Sequence, residues 1–292
     1  MGAGTTTERS ITVDPKVTLN LCVTQGTVSV NGWSRNEVRA FVKDGSNFAF
    51  RIHEKSRDGN PVMISLTSLR SLPSGTISAS GCLAAEEIEI DVPENAALSI
   101  KGQSTKTNLD TLRKVGITTA GGDVSIRNVA QGIRARTFEG DIVVENSEGL
   151  ISLETSSGNI VVSGVGPSEV GDSLIAKTAG GRISLQKMRY RLADLNSVSG
   201  SVVFVGELLS GGSFNFNTTN GAIRLLIPQN SSCKVSATYS YGNFNSDIPI
   251  KIETQDIHPG SVKTVVGTIG AGDCALRLST SSGAIAIRKQ QP

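Results

Sequence analysis

One glycine-centred pattern, repeated along the chain, restricts the fold more than any other feature of the sequence. Numbering outward from each glycine, positions +2 and +4 are apolar after Gly26 (Val28, Val30), Gly122 (Val124, Ile126), Gly140 (Ile142, Val144) and Gly158 (Ile160, Val162). The same holds after Gly181 (Ile183, Leu185), Gly200 (Val202, Phe204), Gly221 (Ile223, Leu225) and Gly283 (Ile285, Ile287). Positions −7 and −5 are apolar in the same copies, as in Ile151 and Leu153, Phe214 and Phe216, or Leu276 and Leu278. Position −3 is a hydroxyl residue in most: Thr119, Thr137, Thr155, Thr178, Ser197, Thr218 and Thr280. A worn copy surrounds Gly242, with Val235 and Ala237 before it and Phe244 after it.

Alternation with period two places −7, −5 and −3 on one face of a strand, and +2 and +4 on one face of the next. Glycine between them lets the chain turn at positive φ without a Cβ clash. Threonine suits a strand, and its hydroxyl can satisfy a backbone group freed at the corner. Each unit therefore reads as strand, corner, strand, with one side to bury. The corners recur at 18 residues (122 to 140), 18 (140 to 158), 23 (158 to 181), 19 (181 to 200), 21 (200 to 221) and 21 (221 to 242), then 41 (242 to 283), about two units. Roughly twenty residues is short for a propeller blade and fits one coil of a β-solenoid. Copies would stack at about 4.8 Å per coil, the distance between paired strands.

The expected fold is all-β: a parallel β-solenoid, β-helix-like and right-handed by the default for parallel crossovers. The competing arrangement is an antiparallel sandwich or meander, with links such as Asn146-Ser147-Glu148-Gly149 closing hairpins. The solenoid is preferred because each unit carries the same corner in the same order. Residues 1–9 read as a flexible tail, 10–106 as an N-terminal β region holding the first strand pair, and 107–292 as solenoid repeats. Within 10–106 the pattern lapses after Trp33; Glu37 to Asp44, Phe48 to Glu54, Val62 to Thr67 and Glu87 to Val92 read as strands. Arg57-Asp58-Gly59-Asn60-Pro61 reads as a hairpin turn and Ser68 to Gly81 as a loop. This region is expected to cover the open first coil, whose strand edges would otherwise be bare. Leu98 to Leu112 reads as a worn coil without its glycine.

Composition narrows the function. Lys+Arg 28 against Asp+Glu 26 leaves a formal charge of +2 with interspersed signs, which argues against a nucleic-acid surface. Lys187, Arg189 and Arg191, alternating with Met188 and Tyr190, would make a small basic stripe if they lay on a strand. No apolar run approaches the roughly 20 residues of a membrane span. Met1 to Ser10 lacks the basic start and apolar stretch of a secretory leader, and Met1-Gly2-Ala3-Gly4-Thr5-Thr6 superficially fits a myristoylation signal. Cys22, Cys82, Cys233 and Cys274 match no metal or redox spacing, and each sits alone in an apolar stretch, which favours buried thiols over two disulfides.

Gly26-Thr27-Val28-Ser29-Val30-Asn31-Gly32-Trp33, followed by Glu37-Val38, resembles the opening of the bacterial putative-adhesin family, β-repeat domains of unknown function. Ile88-Glu89-Ile90-Asp91-Val92-Pro93 resembles its mid-chain strand, and Gly267-Thr268-Ile269-Gly270 with Leu276 to Ile287 its C-terminal end. The resemblance covers residues 10 to 288. It implies a β-helix-like fold and an envelope, periplasmic or extracellular setting, and it brings no catalytic residues with it.

Candidate chemistry is sparse. His53 and His258 read as ordinary strand and surface residues, and neither a cofactor nor a metal site is expected. Asp123 and Asp141 occupy the +1 position of consecutive coils, where a carboxylate pair would suit a lyase or glycosidase. Asn159, Arg182, Ser201 and Ala222 then break that ladder, so each aspartate reads as a corner residue bonding its own turn. Gly270-Ala271-Gly272-Asp273 looks like a phosphate or calcium loop but lacks the accompanying motif, and reads as a turn. Asn217-Thr218-Thr219 and Asn230-Ser231-Ser232 are formal sequons of little weight. Ser125, Ser184, Ser201 and Asn215 are expected to share one long polar face suited to a glycan or protein partner. The expected function is a non-enzymatic surface or envelope solenoid, an adhesin or scaffold. The alternatives are a carbohydrate-active solenoid enzyme and a cytoplasmic assembly module.

Overall fold

The computed structural model describes residues 6–71, 77–79, 81–258 and 262–290. Every regular element in them is a strand. No helix among the described residues is long and apolar enough to cross a membrane. The chain divides into two compact units, residues 1–140 and 141–292.

In the second unit the strands before the corners form one parallel column. Its spatial order is Ile151–Ser157, Ser173–Thr178, Leu192–Ser197, Ser213–Thr218, Ala275–Ser282 and Cys233–Tyr241. The strands after the corners form a second column: Ile142–Glu145, Ile160–Ser163, Ile183–Gln186, Val202–Val205, Ile223–Ile227, Ile285–Lys289 and Phe244–Ser246. Registers are strict, so Ile160, Ile183, Val202, Ile223 and Ile285 stand in one buried file. Leu174, Ala193, Phe214 and Leu276 make another, and the Phe204 and Phe216 rings meet at 5.5 Å between the columns. This is the parallel solenoid, and the meander is excluded. The link at Asn146 to Gly149 closes no hairpin; the Gly149 amide donates to the Gly166 carbonyl at 3.0 Å, in the next link.

The coils do not stack in chain order. The Gly283 coil lies between those of Gly221 and Gly242, and the Gly242 coil is outermost. The 41-residue interval expected to hold about two units instead holds an antiparallel hairpin. Its strand Lys263–Ile269 lies on Cys233–Tyr241, and Lys251–Asp256 lies on Lys263–Ile269. An outermost parallel strand leaves its backbone groups unpaired, and the hairpin covers that edge.

The first unit is interleaved in the same manner. Thr18–Trp33 is a single bent strand that pairs in parallel with Ala97–Leu112 on one side. On its other side it pairs with Pro61–Ser71 and Leu83–Pro93, so the first coil in sequence is second in the stack. Ala97–Leu112 continues into Lys114–Gly121 and Val124–Val129, and Lys114–Gly121 into Ile133–Glu139. The coil expected to lack its glycine is therefore present, with Thr105 opposite Gly26 at the corner. The open edges carry antiparallel strands: Phe48–Lys55 on Pro61–Ser71, Glu37–Lys43 on Leu83–Pro93, and Thr6–Thr12 on Glu37–Lys43.

Two local expectations change. Residues 6–9, expected in a flexible tail, open the strand Thr6–Thr12, while the myristoylation-like start at 1–5 lies outside the described residues. In the Ser68 to Gly81 loop, Pro61–Ser71 runs on as strand and pairs antiparallel with Ile77–Ala79; residues 72–76 and 80 lie outside the described residues.

Candidate functional site

The corner glycines are held by stacking more than by φ. Gly26, Gly122, Gly140 and Gly242 do lie in the left-handed region, at φ between 104° and 137°. Gly181, Gly200, Gly221 and Gly283 do not. What excludes a side chain there is the carbonyl of the corner below. A Cβ on Gly181 would stand 1.9 Å from the Gly158 oxygen, one on Gly200 1.9 Å from that of Gly181, and one on Gly283 2.0 Å from that of Gly221. The expectation that positive φ explains the repeat is thus corrected for these four, and Gly158 likewise lies outside the left-handed region.

The hydroxyl at −3 completes the corner. Thr178, Ser197, Thr218 and Thr280 donate to the carbonyls of Gly158, Gly181, Gly200 and Gly221, at 2.8 to 2.9 Å. In the first unit the shortest bonds of Thr119 and Thr137 stay within their own coil, to the Gly121 and Glu139 carbonyls, both at 2.9 Å, while Thr119 also meets the Gln103 carbonyl of the neighbouring coil at 3.3 Å. These hydroxyls are buried, so the most repetitive polar residues serve the fold.

Exposed polar chemistry begins at +1. The Asp141 carboxylate accepts from the Asn159 backbone amide at 2.7 Å, and the Asn159 side-chain oxygen from the Arg182 amide at 3.0 Å. Arg182 Nε then donates to Ser201 Oγ at 3.1 Å. Asp141, Asn159 and Arg182 therefore each bond the next coil, where a bond within the aspartate's own turn was expected. These residues border a shallow open groove of about 670 Å³. Asp123 belongs to the first unit and Asp141 to the second.

A second groove, of about 550 Å³, follows the outward face of the pre-corner column in the second unit. Glu154, Lys177, Asn196, Asn217 and Ser279 stand in file along it. Asn217 Nδ2 donates to Asn196 Oδ1 at 3.1 Å, and Asn196 Nδ2 to Asp194 Oδ1 at 2.8 Å. In the neighbouring file Arg277 reaches Asn215 Oδ1 at 3.5 Å. This lateral bonding holds neighbouring polar side chains to one another along the groove. Ser184 and Ser201 lie with the post-corner column and Asn215 with the pre-corner one, so the single face expected for them is two faces; Ser125 belongs to the first unit.

The remaining candidates have structural roles. The backbone amides of Ala271, Gly272 and Asp273 converge on Ser232 Oγ, at 2.9, 2.9 and 3.3 Å, so the glycine-rich loop is filled by the chain itself. Lys187, Arg189 and Arg191 follow the strand Ile183–Gln186 and are not part of it. Met188 and Tyr190 between them are buried, and Arg191 pairs with Asp172 at 3.4 Å. The Tyr190 hydroxyl donates to the Gly149 carbonyl at 2.5 Å. Burial first, then the charges of Asp172 and Glu148, raise this phenol above its ordinary range. His53 meets Ser65 Oγ at 2.9 Å, and His258 meets Asp256 at 2.6 Å, holding that carboxylate below its usual value. Among the described residues no three His, Cys, Asp or Glu side chains gather to hold a metal ion.

In the first unit, Arg39 is held to Asp91 through two nitrogens at 2.7 and 3.1 Å. Its guanidinium lies 4.8 Å from the Trp33 ring and 5.0 Å from that of Phe41. Nothing in the alternation pattern pointed to this cluster, because its ion pair joins Arg39 to Asp91, 52 residues away in sequence.

The cysteines form two disulfides, Cys22–Cys82 and Cys233–Cys274, which overturns the expectation of buried thiols. Their partners lie 60 and 41 residues apart and meet only because the coils are interleaved.

Solved structures similar to the chain include a putative adhesin from Bacteroides fragilis, at 12% identity over 98% of this chain and 97% of that one, with a TM-score of 0.42. A putative cell adhesion protein from Clostridium sporogenes (11% identity, 98% and 100% covered, TM-score 0.29) and a putative adhesin from Parabacteroides distasonis (10%, 98% and 98%, 0.33) are also similar. Overlays this loose carry no functional argument. No curated protein matches the chain. The family model described as Toastrack DUF4097 matches residues 10–288, nearly the whole length over which the corners, the interleaved coils and their edge strands extend. The chain belongs to the Toastrack DUF4097 family.

Proposed function

We propose that this chain is a non-enzymatic β-solenoid of the envelope or the extracellular space, which presents a laterally bonded polar face to a glycan or protein partner. The observation that carries this reading is the file Glu154, Lys177, Asn196, Asn217 and Ser279 with its neighbours Asp194, Asn215 and Arg277. Short amide, hydroxyl and charged groups held at strand spacing suit recognition by many hydrogen bonds across an open surface. The two disulfides support an oxidising compartment, since cytosolic thiols are kept reduced. The carbohydrate-enzyme reading lacks a comparable observation, because Asp141 is engaged by Asn159.

The test is binding of the purified chain to a glycan array and to an array of cell-surface proteins, beside the double variant Asn196→Ala/Asn217→Ala. We expect a ligand on one array whose affinity falls by about tenfold in the variant, with unchanged unfolding. No ligand on either array, equal binding by the variant, or turnover of a polysaccharide panel would overturn the reading.

A further inference from the structure

In each unit a disulfide ties the outermost coil to the one beneath it. Cys22 lies in Thr18–Trp33 and Cys82 directly before Leu83–Pro93. Cys233 opens Cys233–Tyr241 and Cys274 directly precedes Ala275–Ser282. The two bridges differ in access: Cys233 and Cys274 are 0% and 5% exposed, whereas Cys22 and Cys82 are both only half-buried.

Their surroundings differ in the same sense. At Cys233–Cys274 the backbone is tightly knit. The Lys234 amide donates to the Cys274 carbonyl at 2.7 Å, the Cys274 amide to the Ser232 carbonyl at 3.2 Å, and Ser232 Oγ gathers the next loop. At Cys22–Cys82 the ladder is irregular. The register between the two strands shifts twice between Val23 and Thr27, around the Gly26 corner. Thiol–disulfide exchange requires a thiolate to reach a sulfur along the bond axis, so access and local opening govern its rate.

We propose that Cys22–Cys82 is an exchange site for a small dithiol and that its reduction loosens the outer coil of the first unit, independently of what the polar face binds. One thiolate of the dithiol attacks a bridge sulfur, forming a mixed disulfide and expelling the other cysteine as thiolate. The second thiol of the reagent then displaces the first cysteine, and the reagent leaves as a cyclic disulfide. Two electrons pass to the protein, and both cysteine thiolates take up the protons released by the reagent. Without the bridge, the corner at Leu83 to Glu86 is held to Thr18–Trp33 by the shifted ladder and the bond from Thr24 Oγ1 to the Leu83 carbonyl at 3.1 Å. Opening there uncovers the edge of Thr18–Trp33, a template for another strand.

The experiment is timed reduction of the folded, full-length chain with dithiothreitol, quenching by alkylation, and peptide mapping, with hydrogen exchange on the same samples. We expect Cys22 and Cys82 to be alkylated at least about tenfold faster than Cys233 and Cys274. Amides of residues 83–92 should lose protection while those of residues 275–282 keep it. The double variant Cys22→Ser/Cys82→Ser should show the same local loss without reductant. Equal reduction of both bridges, earlier reduction of Cys233–Cys274, or unchanged protection at 83–92 would overturn the proposal. Global loss of protection in the variant would also overturn it, since the opening would then not be confined to the outer coil.

Discussion

Replacing Gly200 by alanine isolates the contact that defines the repeat. The new Cβ would stand 1.9 Å from the Gly181 oxygen, 2.5 Å from its carbon and 3.1 Å from the Arg182 nitrogen. Ordinary carbon–oxygen contact begins near 3.4 Å, so two coils normally about 4.8 Å apart must part at the corner. Forcing one methyl into packed surroundings costs about 1–3 kcal/mol. The displacement also strains two corner bonds, Ser197 to the Gly181 carbonyl and Thr218 to the Gly200 carbonyl, each worth about 1 kcal/mol. The expected loss is therefore about 3–5 kcal/mol. Gly180→Ala is the control, because a Cβ there meets Ser156 at an ordinary 3.6 Å, outside the left-handed region; it should change stability by no more than about 0.5–1 kcal/mol. Stacked repeats need not unfold in one step, so the assay is native-state hydrogen exchange at the amides of Ile183–Gln186 and Val202–Val205. If Gly200→Ala opens these strands no more than Gly180→Ala does, stacked carbonyls are not what selects glycine.

Other substitutions probe the remaining layers. Phe216→Ala should cost about 3–5 kcal/mol, as truncation of a fully buried ring does; combined with Phe204→Ala it should cost less than the two separately, since the rings touch. Thr218→Val should cost about 1 kcal/mol by leaving the Gly200 carbonyl without its donor, read from the same exchange measurement. Tyr190 gives an alkaline signature. Its folded pKa is raised, so the folded state keeps a proton that the unfolded chain gives up near pH 10. Its contribution is complete below about pH 10 and fades as pH rises toward the folded value. Urea unfolding followed across that range should show the advantage of the native chain over Tyr190→Phe shrinking; a constant difference would contradict the assignment.

Much of this architecture was legible because burial follows the alternation one residue at a time. Ile151, Leu153 and Thr155 point inward and Ser152 and Glu154 outward, as period two requires. Glu37–Lys43 and the stretch Glu87 to Val92 were legible by the same rule, and so was the turn at Gly59, whose amide donates to the Ser56 carbonyl at 3.0 Å; Ile77–Ala79 was not, since it lies in a stretch rich in Ser and Gly that reads as a loop. The order of the coils was not. Every corner carries the same motif, so the sequence holds no local sign that Ser213–Thr218 pairs with Ala275–Ser282 before Cys233–Tyr241 is reached. That hidden order also concealed the disulfides, because Cys233 and Cys274 each look solitary until the C-terminal coil is placed inside. The role of Asp141 was missed for a related reason: its partner Asn159 belongs to the next coil, and a single turn does not display it.

The interleaved order is the claim on which coil neighbours, disulfide pairing and edge protection all depend, and cysteine cross-linking tests it directly. In the folded chain Asn215 stands beside Arg277, and Arg277 beside Ser236. Paired strands lie about 4.8 Å apart, within the Cα separation a disulfide spans. The variant Asn215→Cys/Arg277→Cys should cross-link on mild oxidation, identified by peptide mapping, while Asn215→Cys/Ser236→Cys should not. Cross-linking of the second pair in place of the first would show that the coils follow chain order, and would contradict the account.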